Sequence, residues 1–156
     1  MKLVNIQFLI LRLALAGLFL SLGLEKYHEG WLQNSEHLVT TLNNFKQHAG
    51  GAQLFYLEHI ALPYAGAWAK LIMIGEFAVG VSMLLGLLVR FSAAAAILMV
   101  INLHAATGNL YTLNFFGSPW AALLIASLLA MFLSSAGRWA GIDTLLAKLN
   151  PRGVLW

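Results

Sequence analysis

Cysteine is absent from the 156 residues. This excludes disulfides, thiolate metal sites, iron–sulfur clusters and any persulfide or thiol chemistry on this chain. Charge is almost as scarce: nine Lys and Arg with six Asp and Glu make up only 10% of the residues, against about 25% in a soluble domain. The net charge of +3 comes from scattered positions, with no basic run of the kind that tracks phosphates. Also missing are a glycine-rich phosphate loop, a catalytic triad, a cofactor fingerprint and an internal repeat. What fills the chain is apolar, 60% hydrophobic, where about 45–50% is usual. A domain of this length buries only about two-thirds of its surface, so that excess cannot be hidden in one core. A soluble enzyme, a disordered tail and a nucleic-acid module are thereby ruled out, and nucleic acid is not expected as a partner. The chain reads as a single membrane domain over residues 1–156 whose first partner is the lipid bilayer.

Four stretches can cross a hydrocarbon layer about 30 Å thick, which needs about 17–25 helical residues. They fall at about 3–24, 65–89, 91–107 and 119–136. The first reads as a retained helix and not as a signal peptide, because its apolar region is long and holds Arg12. Lys2, Arg90, Arg138, Lys148 and Arg152 fall on one side of such a bundle, and Lys26 and Lys46 on the other. The positive-inside rule then places both termini in the cytoplasm and the tail, 137–156, with them. The outer loop, 25–64, is too long to be a plain connector. Leu38, Leu42, Phe45 and Ala49 recur at helical spacing, and a second amphipathic piece runs from Leu54 to Leu62. Ile142–Leu149 and Val154-Leu155-Trp156 suggest a tail held at the cytoplasmic interface. The expected fold is therefore all-α, an integral membrane four-helix antiparallel bundle with an amphipathic helical outer loop.

Charge inside the spans carries the sharpest signal. A charge near the bilayer centre costs at least about 2.5–3.5 kcal/mol, so it turns inward and finds a partner. Arg12 and Glu76 lie near the middles of spans one and two, which predicts that they pair. Such a pair is either a static registry device or part of a mechanism. Asn102 and His104 follow on span three, where a histidine passes protons, holds a quinone carbonyl, or merely bonds a neighbouring backbone oxygen. One span histidine cannot build a haem or metal site, and the other four lie in the loop. Any quinone is expected in the outer half of the membrane near Glu76, His104 and Trp68, with Arg12 keeping Glu76 ionised. Lys70 and His59 are the nearest cationic candidates for an anion arriving on that side. Gly17/Ser21 and Ser82/Gly86 are small-xxx-small pairs expected to bring helices together.

Several segments together resemble the DoxX/DoxD family of small four-helix membrane proteins. Arg12-Leu13-Ala14-Leu15 leads to Gly23-Leu24-Glu25-Lys26, like the family's arginine followed by a Gly-x-x-Lys helix end. Gly75-Glu76 with Gly80, then Gly86-Leu87-Leu88-Val89-Arg90, looks like its second-helix signature, with Val89 where a threonine-like residue is commoner. Gly137-Arg138 with Gly141-Ile142-Asp143 is similar to its C-terminal ending. Tyr56-Leu57-Glu58, Pro63 and the Asn102 to Asn109 stretch point to the DoxD-like branch. The resemblance implies a membrane subunit of thiosulfate:quinone oxidoreductase type, or of another quinone-linked respiratory system, in the cytoplasmic membrane of a bacterium or archaeon. Quinone would be its substrate, with no metal, haem or iron–sulfur cluster on this chain. Other membrane or periplasmic subunits, or further copies of the chain, would be its partners. The alternative is a non-catalytic accessory subunit of a larger respiratory complex.

Overall fold

The computed structural model describes residues 3–111, 119–134, 136–138 and 141–149. Among these the chain is all helical, in the order α1 (Leu3–His28), α2 (Glu36–Lys46), α3 (Gly51–Tyr56), a π-helical turn (Leu57–Ala61), α4 (Ala65–Leu85), α5 (Val89–Thr107), α6 (Pro119–Leu133), a 3-10 turn (Ala136–Arg138) and α7 (Asp143–Leu149). Helix α1 packs on α4, α4 on α5, α5 on α6, and α6 back on α1. Helices α1, α4 and α5 are long and apolar enough to cross a membrane. The expected fourth span is met only in part. Helix α6 has 15 residues, about 22 Å of rise, which falls short of a hydrocarbon layer of about 30 Å. The proposed tail contact of Val154-Leu155-Trp156 lies outside the described residues.

Two glycines set the register of α1 on α4. A Cβ on Gly23 would lie 2.9 Å from the Phe77 backbone nitrogen, and one on Gly80 would lie 2.8 Å from that of Leu20. The antiparallel helices therefore touch backbone to backbone at these two levels, as small residues permit in membranes. Gly17, expected to serve this purpose, does not: a Cβ there would meet nothing within 4 Å. Gly86 serves a different one. It caps α4 in the left-handed conformation with φ 65°.

That cap begins a knot at the end of the bundle where α4 turns into α5, here termed the tail end. Leu88 is also left-handed, with φ 52°, and its N–H donates to Asp143 Oδ1 at 2.6 Å while the Val89 N–H donates to Oδ2 at 3.2 Å. Asp143 thus caps α5 from a distant part of the chain, giving the unsatisfied amides of a helix N-terminus a carboxylate acceptor. The backbone follows suit: Ile142 N–H donates to Leu85 O and Asp143 N–H to Gly86 O. Arg12 reaches the same knot, donating from Nη1 to Ala136 O at 2.9 Å and facing the charge of Asp143. A Cβ on Gly137 would collide with Asp143 Oδ2, and one on Gly141 with the Gly137 carbonyl. The Arg12, Gly86 and Gly137…Gly141…Asp143 motifs converge here in space.

Two apolar cores stack along the bundle. One joins Leu15, Phe19, Val79, Met83, Ala96 and Leu128 among α1, α4, α5 and α6. The other, at the opposite or loop end, joins Leu38 and Leu42 of α2, Leu57 and Ala61 of the π turn, and Ala65 and Ala69 of α4. The amphipathic loop helices expected from the spacing are thus present, and their apolar faces roof the bundle. Their attachments are polar: Lys46 pairs with Glu58 at 2.9 Å, Trp68 Nε1 donates to Ile60 O, and Gln53 Nε2 donates to Ala106 O.

Candidate functional site

Between the two cores lies a cavity of about 230 Å³. Each wall is a helical stripe. Helix α1 contributes Phe19, Leu22 and Lys26, and α4 contributes Trp68, Ile72 and Glu76. Helix α5 presents Met99, Asn102, Leu103 and Ala106, while α2 roofs the space with Leu38, Thr41, Leu42 and Phe45. All four sets repeat at three- and four-residue steps, the spacing of one helix face. Trp31, Tyr56, Ala61, Val100 and, from α6, Leu124 complete the lining.

Lys26 is the partner that Glu76 finds. Its Nζ lies 2.8 Å from Glu76 Oε2 and donates to Oε1 at 3.1 Å. The ammonium also sits 5.4 Å from the Trp31 ring centroid, within cation–π range. The side chains are only 17% and 11% exposed, so the attraction is little screened by water. The expected contact between Arg12 and Glu76 is not made. With Gly23 facing Phe77 and Leu20 facing Gly80, Glu76 is level with residue 24 of α1. Arg12 lies a further twelve residues back, about 18 Å along the axis. Aligning the midpoints of two hydrophobic stretches misplaces the register because α1 does not stop at Leu24. It runs on to His28, through Glu25, Lys26 and Tyr27, none of which breaks a helix. The chain leaves the helical path at Gly30, with φ 78°.

Of the residues singled out from the sequence, the cavity gathers Glu76, Trp68 and Asn102. His104 is buried on α5, but two residues on from Asn102 it points about 200° around the helix, off the lining face. Lys70 is exposed on α4. His59 is exposed and stacks on Phe55, with ring centroids 4.5 Å apart. Arg12 belongs to the tail-end knot.

Lys26, Thr41 and Tyr56 are polar lining residues that sequence reasoning did not assign to the site. The signal for Lys26 was available, as the next step of the Phe19, Leu22 stripe and the end of the Gly23-x-x-Lys26 segment. Tyr56 had no comparable signal. Its hydroxyl lies close to the Asn102 side chain, and both residues line the cavity. Burial pushes this hydroxyl above the usual tyrosine range, the neighbouring Asn102 amide works against that, and Tyr111 adds to it. Tyr56 therefore keeps its own proton near neutral pH and has it to donate.

The site is thus a largely apolar slot among helices apolar enough to cross a membrane, with an ion pair on one wall and a hydroxyl and an amide on another. It suits a flat, mostly apolar ring that carries hydrogen-bond acceptors. Among the described residues no group of three or more His, Asp or Glu is placed to hold a metal ion. Comparison with curated proteins and with solved structures gives no significant match. The family described as "TQO small subunit DoxD" matches residues 8–152, nearly the whole chain. With its apolar helices and its motifs brought together at the tail end and along the cavity, this multi-pass membrane protein belongs to the DoxD family.

Proposed function

We propose that the chain is the membrane subunit of a thiosulfate:quinone oxidoreductase and that the cavity takes the ring of a membrane quinone. One observation carries this reading: a Lys26–Glu76 ion pair faces a largely apolar cavity among helices long and apolar enough to cross a membrane. A volume of about 230 Å³ is below the roughly 300 Å³ at which drug-sized pockets begin. It suits a ring, with the isoprenoid tail left among the lipids.

The overall chemistry balances simply. Two thiosulfates joined through a new S–S bond give tetrathionate and release two electrons, and a quinone takes two electrons and two protons to become a quinol. The proton side falls to this chain. Lys26 donates a hydrogen bond to a ring carbonyl oxygen and stabilises the negative charge that develops there. Glu76, held against Lys26, passes protons to that oxygen. Trp68 and Trp31 border the ring, and Asn102 stands at the far wall. Thiosulfate is oxidised on the loop side of the membrane, directly or on a partner chain, where exposed Lys70 and His59 attract the anion. The positive-inside count puts that side outside the cytoplasm, in the cytoplasmic membrane of a bacterium or archaeon.

The test is thiosulfate-driven quinone reduction in membranes carrying the chain with its partner subunits, at equal protein level. Lys26→Met and Glu76→Gln are each expected to slow reduction at least tenfold. Unchanged rates in both would overturn the catalytic reading and leave an accessory subunit.

A further inference from the structure

The ion pair is one polar end of the cavity, and a second lies on another wall. Gly75 faces Met99, whose Sδ would lie 3.3 Å from a Cβ at that glycine. Since α4 and α5 run antiparallel, Asn102 is level with residue 72. That is one helical turn, about 6 Å, closer to the loop end than Glu76. Tyr56 enters the same cavity from the loop and lies beside Asn102 there. The two carbonyl oxygens of a 1,4-quinone stand on opposite sides of a six-membered ring, so groups that hold both must lie on different walls and at different levels, as these do.

We infer that Tyr56 and Asn102 form a second hydrogen-bonding anchor, which holds the far carbonyl of a 1,4-quinone while Lys26, positioned by Glu76, holds the near one. This rests on the quinone reading above and adds to it a ring class and an orientation. A 1,2-quinone, with adjacent carbonyl oxygens, cannot bridge the two ends. The backbone at Tyr56 is built for such a role. Helix α3 ends there and a π-helical turn begins, closed by Leu62 N–H donating to Leu57 O at 2.9 Å. Single π turns recur at functional sites because they re-aim side chains within a helix. The bonds that pin this turn, Trp68 Nε1 to Ile60 O and Gln53 Nε2 to Ala106 O, do not involve the tyrosine hydroxyl. Tyr56→Phe should therefore leave the roof in place and remove the donor alone.

The experiment is infrared difference spectroscopy of the full chain in lipid nanodiscs with 2-methyl-3-decyl-1,4-naphthoquinone carrying ¹³C at one carbonyl or the other. In the native chain both C=O stretches should be shifted from their unbound positions. Tyr56→Phe should return one of the two toward its unbound frequency and weaken binding about tenfold, the effect of one hydrogen bond. Asn102→Ala should move the same band, and Lys26→Met only the other. If the native chain binds quinone and Tyr56→Phe moves neither band or both alike, the anchor is refuted and the quinone reading stands. If the native chain shows no bound-quinone bands, both are overturned.

Discussion

A double-mutant cycle distinguishes the Lys26–Glu76 pair from the Arg12–Glu76 pair that hydrophobic patterning favours. Lys26 Nζ is 2.8 Å from Glu76 Oε2, and the two side chains are 17% and 11% exposed. Removing one member of a buried pair typically costs about 3–5 kcal/mol, because the other charge is left uncompensated. The residual exposure favours the lower end, about 3 kcal/mol for Lys26→Met or Glu76→Gln alone. The double variant buries neither charge and should lose little more than either single one, for a coupling of about 2–3 kcal/mol. Arg12→Gln combined with Glu76→Gln should instead add to within about 0.5 kcal/mol, as expected for groups well beyond 10 Å apart. The assay is reversible unfolding in mixed detergent, followed by helical circular dichroism. A coupling above about 1 kcal/mol between Arg12 and Glu76, or none between Lys26 and Glu76, would refute the register set by Gly23 and Gly80.

Asp143→Ala removes two acceptor bonds from the start of α5 and should cost about 2–4 kcal/mol, read as a fall in the unfolding midpoint in detergent. Gly80→Ala places a Cβ 2.8 Å from the Leu20 backbone and should destabilise by about 1–3 kcal/mol, whereas Gly17→Ala, in open space, should stabilise by about 0.5–1 kcal/mol. Lys46 holds the Glu58 carboxyl below the usual carboxylate range, first through their hydrogen bond and then through its charge. A lowered folded-state value means that this pair's contribution is full above the ordinary carboxylate range and disappears as the pH falls through the lowered value. Glu58→Gln should flatten that acid limb of the Tm–pH curve at low salt, and added salt should shrink the difference because the pair is exposed.

Hydropathy made the long helices legible, since α1, α4 and α5 are the stretches that cannot be dissolved in water. The loop helices were legible for a related reason: Leu38, Leu42 and Phe45 show their apolar face at a 3.6-residue period. How these pieces meet was not legible. The α1–α4 register depends on two backbone contacts at Gly23 and Gly80, and although both glycines fall in recognisable motifs, no sequence pattern says which backbone each one faces. The end of α1 was misread because apolarity stops at Leu24 while helical structure continues to His28, carrying Lys26 to Glu76. Arg12 could be recognised as a buried charge in need of a partner. Its partners, Ala136 O and Asp143, come from a part of the chain 124 residues or more away, which no local pattern reveals. Tyr56 was hidden for a different reason. It ends α3 where a π turn begins, closed by a bond that spans five residues, and the sequence Leu57–Ala61 carries no mark of that turn.

The most direct measurement of the central claim is photolabelling of the native chain in membranes with an azido-1,4-quinone, followed by mapping of the modified residues by mass spectrometry. A quinone in the cavity requires labels on the facing stripes, at Phe19 to Trp31, Trp68 to Glu76 and Met99 to Ala106, with competition by unlabelled quinone and loss of label in Lys26→Met. Labels confined to the lipid-facing side of α6, around Trp120 and Leu123, and insensitive to competitor, would contradict it.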